Sequence, residues 1–309
     1  MEIYPVYTQL NQLCNPEETF YKLLTGYSPA FLFLSNSDKI DSRYTIIGRN
    51  PYITINKESD FTRLQIANEF FDINSSKIEF KKMFDDILSI LKFNDEKHLD
   101  NEIPFYCGFA CQKFCHASIC FIPTEVIVFD RIKNNITVIV NTYHKECFEP
   151  EILFRANVKI ARIIEDLKKQ CVTENQNTFN SNEKVDIKPC EKNTFLVKKQ
   201  FSFETLYKKI THYFKESHIS VFFNGNTKII SVCYESNFKT EISQDNYNIF
   251  NFIKNTENFS GYFTLNNRSD FSIPVFSIIK NKNEIKIHFN ENYNKDDLYI
   301  RNFFNIINE

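Results

Sequence analysis

Val126-Ile127-Val128-Phe129 is followed by Asp130-Arg131-Ile132-Lys133-Asn134-Asn135 and then by Ile136-Thr137-Val138-Ile139-Val140. Two β-branched, apolar runs around a polar segment predict an antiparallel hairpin. Upstream, Ala30–Leu34 is continuously apolar, Tyr44–Ile47 is rich in β-formers, and Tyr52–Ile55 follows Pro51, so three further short strands are expected. Downstream, strands are expected at Ile219–Phe223, Lys228–Tyr234, Gly261–Leu265, Phe271–Ile279 and Glu284–Phe289. Helical spacing marks other stretches. Asn15-Pro16-Glu17-Glu18 reads as a helix start, with Phe20, Leu23 and Leu24 following on one face. Lys81–Phe93 carries Met83, Phe84, Ile87, Leu88 and Leu91, and Glu151–Lys169 carries Leu153, Ile160, Ile163, Ile164 and Leu167. Phe203, Leu206, Tyr207, Ile210, Tyr213 and Phe214 form another stripe, and shorter helices are expected near Asn246–Lys254 and over Asp296–Ile307. Runs of strands with segregated helices imply an α+β fold. The polar, aperiodic stretch from Gln170 to Asn193 predicts a linker. The chain then divides into residues 1–169, a linker over 170–195 and residues 196–309.

Composition narrows the function. The 309 residues hold 5 glycines, where average usage of ~7% would give roughly 22. No two fall within one turn, so a Gly-rich phosphate or dinucleotide cradle is excluded. Lys+Arg 37 against Asp+Glu 39 gives a net charge of −2, which argues against a nucleic-acid footprint. No charged-then-apolar leader follows Met1, and Ala30–Leu34 is far too short to span a bilayer. Nine cysteines at irregular spacing do not form a secreted disulfide framework. The expectation is a cytoplasmic chain with reduced thiols and no nucleic-acid or membrane partner.

Candidate chemistry is sparse. Cys107, Cys111 and Cys115, followed by His116 and Cys120, are spaced so that a helix would set the first three on one face. Thiolates so placed could hold zinc or an iron–sulfur cluster. Buried thiols packed in a core are the better reading, because the spacing matches no established ligand motif. Glu17-Glu18, Asp85-Asp86 and Asp296-Asp297 read as solvated helix residues, and the histidines stand apart from any nucleophile motif. From spacing alone, no active site emerges.

An ordered series of segments resembles component I of the chorismate-utilising synthases, anthranilate synthase and aminodeoxychorismate synthase. Phe31-Leu32-Phe33-Leu34-Ser35, then Ser42-Arg43-Tyr44-Thr45-Ile46-Ile47-Gly48-Arg49-Asn50-Pro51, is similar to that family's N-terminal signature. Pro104-Phe105-Tyr106-Cys107-Gly108-Phe109 stands where the family has a glycine-rich Tyr-Phe segment, and Ile122 to Asn135 resembles its valine-rich hairpin. Phe203 to Ser217 resembles the helix opening the chorismate-binding region, and Asn258-Phe259-Ser260-Gly261-Tyr262-Phe263 its Asn-containing Tyr strand. Departures follow. Ser277-Ile278-Ile279 replaces Ser-Pro-Glu, His288-Phe289-Asn290 replaces an Arg-Pro-Ile segment, and the segments bearing the magnesium-binding glutamates have no counterpart before Glu309.

The resemblance implies two packed, mainly antiparallel β-sheets with peripheral helices, an incomplete version of the component I fold. It implies a diverged, truncated homologue of enzymes that aminate chorismate in folate or tryptophan biosynthesis. Such a chain is not expected to be catalytic alone, because the Mg2+ that the family uses lacks its carboxylate ligands here. No cofactor is therefore expected. A glutamine amidotransferase subunit or a complementing polypeptide is the implied partner. By the same resemblance, Ser35, Arg43, Tyr44, Ser260 and Tyr262 would line a tryptophan-type pocket; the alternative is that they only pack the sandwich. Two further readings stay open: an active subunit completed in trans, and an unrelated α+β interaction protein.

Overall fold

The computed structural model describes residues 2–11, 14–23, 29–35, 44–57, 61–74, 80–93, 107–114, 117–130, 132–144, 150–174, 194–196, 202–214, 218–224, 227–233, 240–241, 259–265, 268–272, 274–280 and 285–289. In chain order these form β1 (Glu2–Leu10), α1 (Pro16–Leu23), β2 (Ala30–Ser35), β3 (Tyr44–Lys57), β4 (Phe61–Ile66), β5 (Glu69–Asn74), α2 (Phe80–Ile90), β6 (Lys92–Phe93), β7 (Cys107–Phe114), β8 (Ala117–Asp130) and β9 (Asn135–His144). They continue with α3 (Pro150–Glu174), β10 (Thr194–Leu196), α4 (Phe203–Tyr213), β11 (His218–Asn224), β12 (Thr227–Cys233), β13 (Thr240–Glu241), β14 (Phe259–Leu265), β15 (Arg268–Ser272), β16 (Pro274–Lys280) and β17 (Ile285–Phe289). The fold is α+β. Among the described residues every strand pairing is antiparallel except that of β1 with β6.

Two 14-residue strands, β3 and β8, organise the sheet. They pair from Tyr44↔Asp130 to Lys57↔Ser118. The two short strands expected at Tyr44–Ile47 and Tyr52–Ile55 are one. The chain bends at Pro51 without ending the strand: Asn50 takes φ 53°, and the register slips between Pro51 and Ile53. A proline offers no N–H to a ladder, and a bulge is where a sheet tolerates it. On either side of the bend each long strand takes a different outer neighbour. β3 pairs with β2 over Ile46–Arg49 and with β4 over Ile53–Lys57. β8 pairs with β9 over Glu125–Asp130 and with β7 over Ala117–Phe121.

One curled sheet with two arms results. The first arm runs β6-β1-β9-β8-β3-β2-β14-β15-β13. The second runs β5-β4-β3-β8-β7-β11-β12-β16-β17-β10. The pairings of the described residues branch at β3 and β8 and close no ring. The arms are therefore continuous through two shared strands, where the sequence led us to expect two separate sheets.

Helices cover each arm. Phe20 and Leu23 of α1 and Ala156, Ile160, Ile163 and Leu167 of α3 pack with Ile127, Phe129, Ile136, Val138 and Val140. On the other arm Met83 and Ile87 of α2 and Leu206, Tyr207 and Ile210 of α4 pack with Ile219, Val221, Ile230, Val232, Phe276 and Ile278. Each such side chain, fully buried, contributes about 1.5–3 kcal/mol. Phe31, Ile46, Phe121, Val126, Val128 and Ile139 are buried outside both clusters, so the long strands carry apolar residues on both faces.

Local signals hold where they are chemical. Asn15 caps α1, accepting from Glu18 N at 3.1 Å, and Ser202 caps α4, accepting from Thr205 N at 3.1 Å. The hairpin turn is tied by Asp130 Oδ1, which accepts from Ile132 N and Lys133 N at 3.0 Å each. Several elements differ from expectation. Cys107–Phe114 is a strand, not a helix; α2 stops at Ile90; and the run Phe271–Ile279 divides between β15 and β16. The first residues of the expected linker belong to α3, while residues 175–193 lie outside the described residues. Leu24 and the helices expected at Asn246–Lys254 and Asp296–Ile307 also lie outside them. No helix of the described residues is long and apolar enough to cross a membrane.

Candidate functional site

The residues implied by resemblance fall on three adjacent strands. β14 pairs with β2 through Phe259↔Ser35, Ser260↔Leu34 and Tyr262↔Leu32. β2 pairs with β3 through Phe33↔Ile46 and Phe31↔Gly48, and Tyr44 opens β3. Ser35, Tyr44, Ser260 and Tyr262 are thus neighbours in one sheet, near one end of β2. Register separates them into two sets. Ser35 alternates in step with Phe33, hence with Ile46 and Tyr44; Ser260 and Tyr262 alternate in step with Leu34, Leu32 and Ile47. Arg43 lies outside the described residues.

Beside them is the bend. Arg49 and Glu125, register partners on β3 and β8, form an ion pair with Nε donating to Oε2 at 2.8 Å; their side chains are only 11% and 6% exposed. Arg49 Nη1 also donates to the carbonyl of Leu23 at 2.6 Å. That carbonyl belongs to the last residue of α1, where a cation is favoured by the helix dipole. The pair ties helix to sheet at the bend. Next to it Gly48 lies under the Phe31 ring: a Cβ there would stand 2.5 Å from Phe31 Cε1 and Cζ and 3.1 Å from Pro123 Cγ. Phe31 in turn meets Phe121 edge to face at 5.3 Å.

The far side of the bend is held by hydroxyls and rings. Thr124 Oγ1 donates to Asn50 O at 2.5 Å, and Tyr143 OH donates to Pro123 O at 3.0 Å. The Tyr143 ring stacks on Tyr52, centroids 3.5 Å apart and planes 2° from parallel. Burial, and then the nearby Glu69 carboxylate, push the Tyr52 hydroxyl above its ordinary pKa. On the second arm Ser277, from the segment that departs from Ser-Pro-Glu, is buried and shares a 3.0 Å hydroxyl–hydroxyl hydrogen bond with Ser231. Its register partner on β17 is His288.

The cysteine cluster changes character on a strand. Cys107 and Cys111 are four residues apart on β7, about 13 Å along an extended backbone, too far for one metal ion to join them without bending the chain. Cys115 and His116 lie outside the described residues. Cys120 sits in β8 opposite Ala110, fully buried, and burial pushes its thiol well above the ordinary pKa. Among the described residues no three His, Cys, Asp or Glu side chains gather as a metal site. Cys14 is disulfide-bonded, against the expectation of reduced thiols.

Spacing arguments pass over Arg49 and Glu125 because the two are 76 residues apart. The available signal was Glu125 itself, the one charged residue between Ile122 and Phe129, which a buried strand accepts only with a partner.

No family model and no curated protein matches the chain. Among solved structures, the menaquinone-specific isochorismate synthase from Escherichia coli is similar at a TM-score of 0.30 and 7% identity, over 99% of this chain and 92% of that one. The likeness is weak and by itself assigns neither fold family nor activity.

Proposed function

We propose that this chain is a diverged homologue of component I of the chorismate-utilising synthases that does not turn chorismate over by itself. One observation carries the reading. Three of the segments that carry the resemblance, over Phe31–Pro51, Ile122–Asn135 and Phe259–Phe263, fall on β2, β3, β8 and β14, which are consecutive neighbours in the first arm. The two others fall elsewhere, Cys107–Phe109 on β7 and Phe203–Tyr213 on α4, so the reading rests on the three that meet in one sheet although they are scattered from residue 31 to residue 263. The lack of independent catalysis follows from chemistry. Expelling the chorismate hydroxyl needs a Mg2+ held by several carboxylates and facing the substrate, and Ser277-Ile278-Ile279 stands where the family has Ser-Pro-Glu. The retained role is binding of a tryptophan-like amino acid. Of the five residues implied by resemblance, Ser35 and Tyr44 belong to one face and engage the ligand together with Arg43, the residue before Tyr44 in the chain, whereas Ser260 and Tyr262 alternate to the opposite face and pack the sheet. An amidotransferase subunit or complementing polypeptide is the partner.

The test is chorismate consumption with ammonia and Mg2+, products separated by mass, with and without the organism's amidotransferase subunit. Folded protein alone is expected to form neither anthranilate nor aminodeoxychorismate; formation of either would overturn the non-catalytic reading. Binding is tested separately by calorimetric titration with tryptophan. A saturable heat, lost in Tyr44→Ala, is expected, and its absence in the folded wild type would remove the pocket.

A further inference from the structure

The β4–β5 hairpin stands apart from the rest of the surface. Its two-residue turn, Ala67-Asn68, places Ala67 at φ 53° and is anchored by Ala67 N donating to Tyr52 O at 2.7 Å. On β5, Phe70 is 62% and Phe71 45% exposed. Consecutive strand residues point to opposite faces, so both faces of β5 offer a phenyl ring to solvent. Among the described residues β5 pairs only with β4, and its other edge is unpaired. Exposed edges are ordinarily protected by charged side chains, lysine above all, by proline or by a bulge; on β5 the charges are Glu69 and Asp72, the latter paired with Arg63 of its own hairpin. Residues 69–74, Glu-Phe-Phe-Asp-Ile-Asn, contain no lysine or proline, and their register with β4 is unbroken.

We propose that β5 pairs with β5 of a second copy of this chain, giving an antiparallel, two-fold dimer. The two-residue turn closes on Ile66↔Glu69, so Glu69, Phe71 and Ile73 spend their backbone groups on β4 while Phe70, Asp72 and Asn74 turn theirs to the open edge. Of the two-fold registers that keep this bonding, those centred on Phe71 and on Asp72 pair five residues of each strand, against three for those centred on Phe70 or Ile73. Centred on Asp72, the strands would set two carboxylates opposite each other. Centred on Phe71, they set Phe71 against its own copy and Phe70 against Asp72 of the other chain. Asp72 accepts from Arg63 Nε and Nη2 at 2.8 and 3.1 Å, an exposed pair that the Phe71-centred register leaves without a second carboxylate opposite it. Charge therefore selects the register centred on Phe71. Such an interface is isologous, as closed dimers require. Four phenyl rings bury at most on the order of 1,000 Å², the low end for specific association, so the dimer dissociates on dilution.

Sedimentation velocity of the full chain across a dilution series tests this. The wild type is expected to pass from dimer to monomer on dilution, and Phe71→Lys and Phe71→Glu, each melting as the wild type does, to weaken association at least ~10-fold. Mixing the two variants is expected to restore it, because the register sets Lys against Glu. A wild type that stays monomeric at every concentration, with the edge left for some other strand, would overturn the proposal. So would a dimer that Phe71→Lys leaves intact.

Discussion

Arg49 shows at the scale of one residue what a bent strand demands. Its guanidinium meets a carboxylate on β8 and a carbonyl at the end of α1, both away from bulk water. Arg49→Ala strands the Glu125 carboxylate, and a loss of about 3–5 kcal/mol is expected in urea unfolding. Arg49→Met combined with Glu125→Leu is expected to recover most of it, since no charge is then left buried; an equally unstable double variant would mean that the pair has another role. Cys120 makes a second prediction. Its thiol is held neutral by burial, so its pKa is higher folded than unfolded. The folded state keeps that advantage below the unfolded thiol's value of about 8.5 and loses it as the pH rises further, because only the unfolded chain can then ionise. Unfolding midpoints should therefore fall more steeply above that pH in the wild type than in Cys120→Ala. Parallel curves would show that this thiol is not what titrates.

At the scale of the element, the informative failures were β3 and β7. Gly48-Arg49-Asn50-Pro51 carries two breakers and reads as a loop, yet β3 continues through it. The backbone there is held from across the sheet by Thr124 and Tyr143, partners that no local window contains. Asn50 is suited to its left-handed φ, and Asn50→Gly should be nearly neutral, whereas Asn50→Val should cost about 1–2 kcal/mol in thermal unfolding. If both variants melt alike, the bend is not set at this residue. β7 fails for a geometric reason. A spacing of four places residues on one side of a helix and also on one side of a strand, so the three cysteines could not distinguish the two. What decides is the supply of partners, β8 on one edge and β11 on the other. The helices were easier: Leu206, Tyr207 and Ile210 of α4 and its C-cap Phe214 are buried as the period requires, with Tyr213 of the same stripe exposed, and the Asn15 and Ser202 caps are where their side-chain chemistry puts them.

For the whole molecule the expected division at residues 170–195 meets a sheet that crosses it. β7 pairs with β11 over six residues and β2 with β14 over six, joining the chain before the linker to the chain after it. A fragment of residues 1–174 exposes both of those edges. Expressed alone it should aggregate or melt broadly, and co-expression with residues 175–309 should restore a single cooperative transition, followed by circular dichroism. Independent, sharp melting of the first fragment would count against a shared sheet.

Apart from β1, β4, β5, β6, β7, β10 and β13, which it did not mark, the sequence by itself determined the strand positions, along with the α+β class, the four described helices with apolar stripes and the hairpin at residues 126–140. Each of these is written within a turn or two of chain: periodicity, cap chemistry and turn residues act locally. It also excluded Gly-rich phosphate cradles, through composition. Only the tertiary structure decided that β3 and β8 run long and bent, that the two arms are one sheet, and that Arg49 meets Glu125. It alone separated Ser35 and Tyr44 in register from Ser260 and Tyr262. Those outcomes depend on which strand edge is filled by which distant segment, a competition settled by burial and backbone hydrogen bonding across the whole chain.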